Sequence, residues 1–286
     1  MPDWKGLSLL AVVAHPDDES FGPGGTLALY ATRGVRVHVV CATRGELGSA
    51  PPEVLHGHTS VAELREAELR CAASQLGLSS LQILGYRDSG MQGSPDNQHP
   101  QALAAAPVDE VAARIVHWIR ELRPQVVITS DPIGGYGHPD HIAVNRATLK
   151  AFAAAGDPLL YPDGLPPHQP AKLYYHTFPR GALRLLVRVL RILGRDPRRW
   201  GRNRDIDLTI IAAEDYPVHA RIDVRPSALA KQQASACHAS QGGASGGRIS
   251  SWISRLLGGR ETFMRAHPPA PPRLREQDLF EGIARS

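Results

Sequence analysis

Two valine-rich runs, Leu9 to Ala14 and Val35 to Ala42, read as buried strands: the first is apolar throughout and the second is polar only at Arg36 and His38. A strand that is apolar on both faces must be covered on both, the condition of a parallel sheet held between helices. Helical patterns fall between such runs. Thr26 to Arg33 is one, and Ser60 to Leu76, stopped by Gly77, leads to a short strand at Leu81 to Leu84. Val108 to Leu122 is another, stopped by Pro124 ahead of a strand at Gln125 to Thr129. This alternation predicts a doubly wound α/β sheet, with function in the crevice beyond the carboxyl ends of the strands. At 286 residues the chain can bury one large core. We expect residues 1–178 to form it, with 179–286 as an Arg-rich helix and C-terminal segment packed on the same domain.

The formal net charge of +4 is unevenly placed. Arg180, Arg184, Arg188, Arg191, Arg195, Arg198, Arg199, Arg202 and Arg204 crowd one stretch, within which Ala182 to Leu193 reads as an amphipathic helix. Elsewhere the signs nearly balance, and no nucleic-acid partner is expected. The proline- and glycine-rich segment from Gly156 to Pro170 reads as an ordered loop or lid, followed by a strand at Lys172 to Phe178. Gln232 to Gly247 reads as a helix end and flexible loop, and His267 to Pro272 as an extended tail. The three cysteines, Cys41, Cys71 and Cys237, are an odd number without a C-x-x-C pair, so no disulfide framework is expected and a reducing cytoplasm fits. Met1 to Gly6 is not the start of a signal peptide, and Leu7 to Ala14 is too short to span a membrane.

Chemistry is concentrated in two short peptides, Ala14-His15-Pro16-Asp17-Asp18-Glu19 and Gly137-His138-Pro139-Asp140-His141, each following an apolar run. His15 and Asp18 can reach one ion from a single turn, and His141 can supply a third ligand from the other loop. The fourth position is left for water, the arrangement of a catalytic zinc. Consecutive aspartates permit a division of labour in which Asp18 binds the ion and Asp17 takes a proton from the water, whose pKa zinc lowers to about 7. Glu19 is placed to orient a ligand histidine. Pro139 suits the first position of a helix, and His138, three residues from His141, shares its face and can stand near a substrate carbonyl. Each peptide alone also reads as an ordinary helix start. Their joint placement at the end of a parallel sheet favours the metal site.

Two other patterns carry less. Gly22-Pro23-Gly24-Gly25 follows a strand as a dinucleotide loop does, but Leu27 occupies the third glycine position of G-x-G-x-x-G. Gly243 to Gly247 satisfies G-x-S-x-G without the apolar strand that a nucleophile elbow requires.

The two histidine peptides, with Thr43-Arg44-Gly45-Glu46, Arg87-Asp88-Ser89-Gly90-Met91 and Gly134 to His141, resemble the PIG-L/LmbE family of zinc-dependent N-deacetylases. The resemblance is strongest over roughly the first 155 residues, with an echo at His238-Ala239-Ser240-Gln241, and is nearest to the bacterial thiol-pathway branch acting on N-acetylglucosaminyl conjugates. It implies a Rossmann-like fold and Zn²⁺ held by His15, Asp18 and His141, other divalent metals such as Fe²⁺ being alternatives. It further implies Asp17 as base, His138 as electrostatic catalyst, Asp140 tuning His138, and Arg65, Asp88 and Tyr136 on the sugar or carbonyl side. Leu47-Gly48-Ser49-Ala50 departs from the acidic residues that thiol-pathway members tend to carry there, and the Arg-rich stretch 180–204 has no clear equivalent.

The expected function is therefore removal of the N-acetyl group from a small amino-sugar conjugate by a cytoplasmic enzyme, with homo-oligomerisation left open. An amidase of thiol S-conjugates would carry the same motifs. A reading of a different class is a peripheral module that lays the Arg184 to Arg195 helix on a membrane or another acidic surface. More often such a helix packs on its own domain and solvates its arginines.

Overall fold

The computed structural model describes residues 4–48, 50, 52–55, 57–177, 180–199, 207–213, 216–243 and 259–284. Strands β1 (Ser8–Val13), β2 (Arg36–Thr43), β3 (Ser80–Tyr86), β4 (Val126–Thr129), β5 (Lys172–Thr177), β6 (Ala220–Asp223) and β7 (Arg260–His267) form one sheet in the order β3-β2-β1-β4-β5-β7-β6. The first five in that order are parallel, and β7 and β6 continue the sheet antiparallel. The helices are α1 (Asp18–Phe21), α2 (Gly24–Thr32), α3 (Val61–Leu76), α4 (Val108–Leu122), α5 (Gly134–Gly137), α6 (Pro139–Ala154), α7 (Arg180–Ile192), α8 (Leu208–Ala213) and α9 (Ala228–Cys237).

The unbroken apolar character of β1 has the predicted cause. Leu9, Ala11 and Val13 join a core with α2, α3 and α9, while Leu10 and Val12 join a second core with α4 and α6. Side chains alternate across a strand, so covering both faces demands apolar residues at every position. Local signals set the helix ends. The Ser60 side chain accepts the Glu63 N–H to start α3, and Gly77 closes it at φ 70°. From β1 the chain crosses to β2 on one side, while β4 lies on the other, so the crevice opens where the connections diverge. The His15 peptide leaves β1 at that point, and the His138 peptide follows β4 by way of α5.

Gly22 to Gly25 is closed to a phosphate by the protein itself. Glu261, from β7, accepts the N–H groups of Gly25 and Thr26 at 2.9 and 2.8 Å. A helix N-terminus is a ready anion site, and here an internal carboxylate fills it. A Cβ on Gly25 would lie 2.8 Å from both Glu261 Oε1 and Val224 Cβ, so glycine is what lets these segments meet.

Several expectations require correction. Cys71 and Cys237 form a disulfide with Cα atoms 5.8 Å apart, and only buried Cys41 is a free thiol. The partners are 166 residues apart in sequence and become neighbours because α3 packs along α9. The 156–170 segment is an ordered loop rather than a lid. It enters β5 at the end of the sheet opposite the crevice, where buried Arg120 donates to the carbonyls of Ala155, Asp157, Leu160 and Tyr161. The anticipated extended tail is preceded by β7, which ends at His267, and neither β7 nor β6 follows from the sequence pattern. Their polar positions hide the strand signal: Glu261 and Thr262 are buried because they bond to other elements. Gln232 to Cys237 is the end of α9, as the sequence pattern predicts; Ala244 to Gly247, Arg202 and Arg204 lie outside the described residues.

The amphipathic helix is present as α7. Val187 and Leu190 pack on Leu208 and Ala212 of α8, so one apolar stripe is used within the domain while Arg188, Arg191 and Arg195 face solvent. Among the described residues no helix is long and apolar enough to cross a membrane.

Candidate metal centre and active site

His15 and Asp17 lie on the turn after β1 and Asp18 opens α1, while His138 caps α6 and Asp140 and His141 lie in its first turn. His15 Nδ1 is 3.2 Å from His141 Nε2, Asp18 Oδ2 is 3.4 Å from His141 Nε2, and His15 Nδ1 is 3.8 Å from Asp18 Oδ2. Donors about 2.0–2.1 Å from a tetrahedral zinc are separated from one another by roughly 3.3 Å, so these three atoms fit one ion. His15, His138 and His141 also lie close enough to share a metal, as do His15, Asp88, His138 and Asp140. Two of the other nitrogens are already engaged. His15 Nε2 is 3.1 Å from Asp140 Oδ2, leaving Nδ1 for the ion, and His138 Nδ1 accepts the Asp140 N–H at 3.2 Å.

The electrostatics match. Burial lowers the pKa of His15, but the hydrogen bond to Asp140 and the charges of Asp88 and Asp18 outweigh it and raise the group to about 9. This carboxylate field favours positive charge at the position a metal would take. Burial opposes ionisation of Asp18, yet His141, His15 and the His15 N–H hold its carboxyl below the usual range. Burial depresses both His141 and His138, the latter far below ordinary imidazole with help from neighbouring His15 and His141. His138 is thus neutral, and because its Nδ1 accepts, its proton sits on Nε2.

Asp17 stands apart from the triangle. Its φ of 120° is outside the region open to ordinary L-residues, a strain found where surroundings over-determine the backbone. Burial raises its carboxyl to about 7 against the lowering effect of Arg65, within the range useful to a base at neutral pH. Arg65 is buried on α3 and donates to Asp17 Oδ2 at 3.0 Å, Pro16 O at 2.5 Å and Gly45 O at 2.9 Å. Gly45, at φ 66°, is needed there, since a Cβ would stand 2.1 Å from the guanidinium. The neighbouring carboxylates are used elsewhere: Glu66 pairs with Arg44 and Glu68 with Ser240.

Asp88 is buried with Oδ1 3.7 Å from His15 Nε2, and the same oxygen accepts the Gly90 N–H. Its own N–H is held by Glu46 at 3.0 Å, which connects the two peptides carrying these residues. Tyr136 places its ring 5.8 and 5.4 Å from those of His138 and His141. The Asp140 carboxylate binds His15 Nε2, the Ser89 N–H at 2.9 Å and the Ser89 hydroxyl; only its backbone meets His138. Glu19 orients a histidine, though not a ligand: its Oε1 lies 2.7 Å from His238 Nε2.

His15, Asp17, Asp18, Arg65, Asp88, Tyr136, His138 and His141 line one cavity of about 820 Å³, large enough for a sugar conjugate. Its walls also include Leu47, Met91 and Gln241, which lie in or beside segments that carry the family resemblance, and Asp131 and His176, which no sequence motif marks. Asp131, just beyond β4, could have been found from its place at the strand end. Nothing local marks His176, which the fold brings from β5, while Gln241 arrives from beyond α9 in the segment His238 to Gln241.

The sequence profile of the PIG-L family, described as GlcNAc-PI de-N-acetylase, matches residues 10–152. The chain is 39% identical to a 1D-myo-inositol 2-acetamido-2-deoxy-alpha-D-glucopyranoside deacetylase of Streptomyces scabiei, over 97% of this chain and 90% of that protein. It is 39% identical to the enzyme of the same name from Thermobifida fusca, over 95% and 98% respectively. In three dimensions it resembles N,N'-diacetylchitobiose deacetylase from Pyrococcus horikoshii, with a TM-score of 0.62 at 20% identity over 90% of this chain and 83% of that one. At that identity the likeness is one of fold.

Proposed function

This chain belongs to the PIG-L/LmbE family of N-deacetylases, and we propose that it hydrolyses the N-acetyl amide of an N-acetylglucosaminyl-inositol conjugate to acetate and a free amine, with Zn²⁺ as its metal. The observation that carries the chemistry is the convergence of His15 Nδ1, Asp18 Oδ2 and His141 Nε2 beside a base-like aspartate. Identity to the inositol-glucosaminide deacetylases along nearly the whole chain carries the substrate class.

A divalent ion held by those three residues supplies Lewis acidity, polarising the amide carbonyl and acidifying water. Asp17 accepts a proton from the attacking water while the oxygen of that water bonds to the carbonyl carbon. His138 Nε2–H donates to the carbonyl oxygen as it becomes negative. The C–N bond then breaks, and Asp17 returns its proton to the departing amine. The neutral state of His138 supports assigning the acid role to Asp17. Arg65 holds the base, a reading that replaces direct sugar contact for this residue. Asp140 orients His15 through the carboxylate–imidazole bond common behind metal ligands. Tyr136 and Asp88 are assigned to the carbonyl side and the sugar.

Release of free amine, followed with fluorescamine across N-acetylglucosamine conjugates, tests the function. The inositol glucosaminide should turn over best and chelation should abolish turnover. A preference for a thiol S-conjugate lacking the N-acetyl sugar would move the enzyme to the amidases. Sugar recognition has its own test. Sugar hydroxyls give up water on entry, and an unpaired buried polar group costs about 1–3 kcal/mol, so Asp88→Ala should lower kcat/KM for the glucosaminide roughly 10- to 100-fold. A minimal N-acetyl amine should be little affected; equal loss on both substrates would withdraw Asp88 from sugar binding.

The Cys71–Cys237 bond removes the cysteine argument for a reducing compartment. Cytoplasmic residence is proposed here from the small-molecule substrate class and is checked by cell fractionation.

A further inference from the structure

Among the described residues, a buried chain of hydrogen bonds reaches the base from the far end of the sequence. His238, at the end of α9, and Glu19, on α1, are both 0% exposed, with His238 Nε2 2.7 Å from Glu19 Oε1. The other oxygen, Glu19 Oε2, accepts the backbone N–H of Asp17 at 3.0 Å. Among the described residues the bond to Glu19 is the one hydrogen bond of the His238 ring, and its Nδ1 is buried without a partner.

The segment that carries His238 is tied down on both sides. Glu68 of α3 accepts from Ser240 N and Oγ at 2.8 and 2.6 Å, and one turn further on the helix Cys71 is bonded to Cys237. Arg65, one turn before Glu68, holds the Asp17 carboxylate. Asp17 is therefore gripped at its side chain from α3 and at its backbone from Glu19, and residues 237–241 brace both grips. A non-glycine residue at φ 120° needs this: strain persists only where its surroundings over-determine it.

We propose that His238 is a positioning residue for Asp17, acting through Glu19 to fix the backbone from which that carboxylate enters the cavity. The proposal rests on Asp17 being the base. It separates His238 from residues that merely pack, because its loss should misplace the base while leaving ligands and sugar contacts where they are.

The test compares His238→Ala, His238→Gln, Glu19→Gln and Asp17→Asn in the full-length, metal-loaded enzyme, with kcat, KM, bound zinc and Tm measured for each. His238→Ala and Glu19→Gln should lower kcat roughly 10- to 100-fold, the scale of an ångström's misplacement, with KM within about twofold and zinc content unchanged. His238→Gln, whose amide N–H can replace the ring N–H, should recover most of kcat. Unchanged kcat in His238→Ala, even with a lowered Tm, overturns the proposal. So does loss of zinc together with kcat, or failure of the glutamine variant to recover activity. If the alanine variant does not fold, full kcat in Glu19→Gln overturns it equally. Asp17→Asn keeps the two questions apart: unchanged kcat there removes the base assignment itself, whereas a loss there beside an intact His238→Ala removes only the positioning role.

Discussion

His15→Ala and His141→Ala should each purify with little bound zinc and no measurable deacetylation, while the sheet remains folded. The ligand triangle joins two loops at one end of strands whose cores are built independently of it, so its loss loosens the crevice without removing apolar packing. Metal analysis beside circular dichroism checks this. Zinc retained at one per chain in both variants would remove the ligand assignment. Asp140→Asn offers a graded version: it weakens the partner of His15 Nε2 and should reduce metal affinity about 10- to 100-fold, as loss of such supporting bonds does.

Asp17→Asn should keep its zinc and lose at least roughly 10²-fold in kcat, the lower range for lost acid–base help. The carboxylate must be ionised to take a proton, so kcat/KM should rise with pH through its titration. Arg65 lowers that pKa, and Arg65→Gln should therefore move the acidic limb of the profile upward while reducing the maximum rate. A limb that stays in place would mean another group governs it. If Asp17→Asn loses its metal while Asp18→Ala does not, the adjacent aspartates have been given each other's roles.

The parts of this site legible in the sequence are those whose chemistry is carried by a short run of chain. A turn after a buried strand can aim His15 and Asp18 at one point, and Pro139 at the head of α6 sets the spacing of His138 and His141. These constraints operate over a few residues, and spacing records them. The supporting groups were less legible because their roles depend on which side chain meets which across long separations. Arg65 on a helix surface would by default pair with a nearby glutamate, but the fold turns it inward to Asp17. Asp140 lies two residues from His138, yet its carboxylate points to His15 and Ser89. Glu19 finds its histidine 219 residues away.

The alternation of doubly covered strands with helices, the end of the sheet where chemistry sits and the metal-binding donor types are written in the residue order, because periodicity, capping and ligand chemistry are local. The packed fold is what brings β7 and β6 onto the sheet, Glu261 into the glycine loop, Cys71 to Cys237 and His238 behind the base. Each is a pairing of buried polar groups or thiols between elements far apart in the chain. Such pairings follow from how helices and strands stack, and a residue pattern along one segment holds no record of the partner it will face.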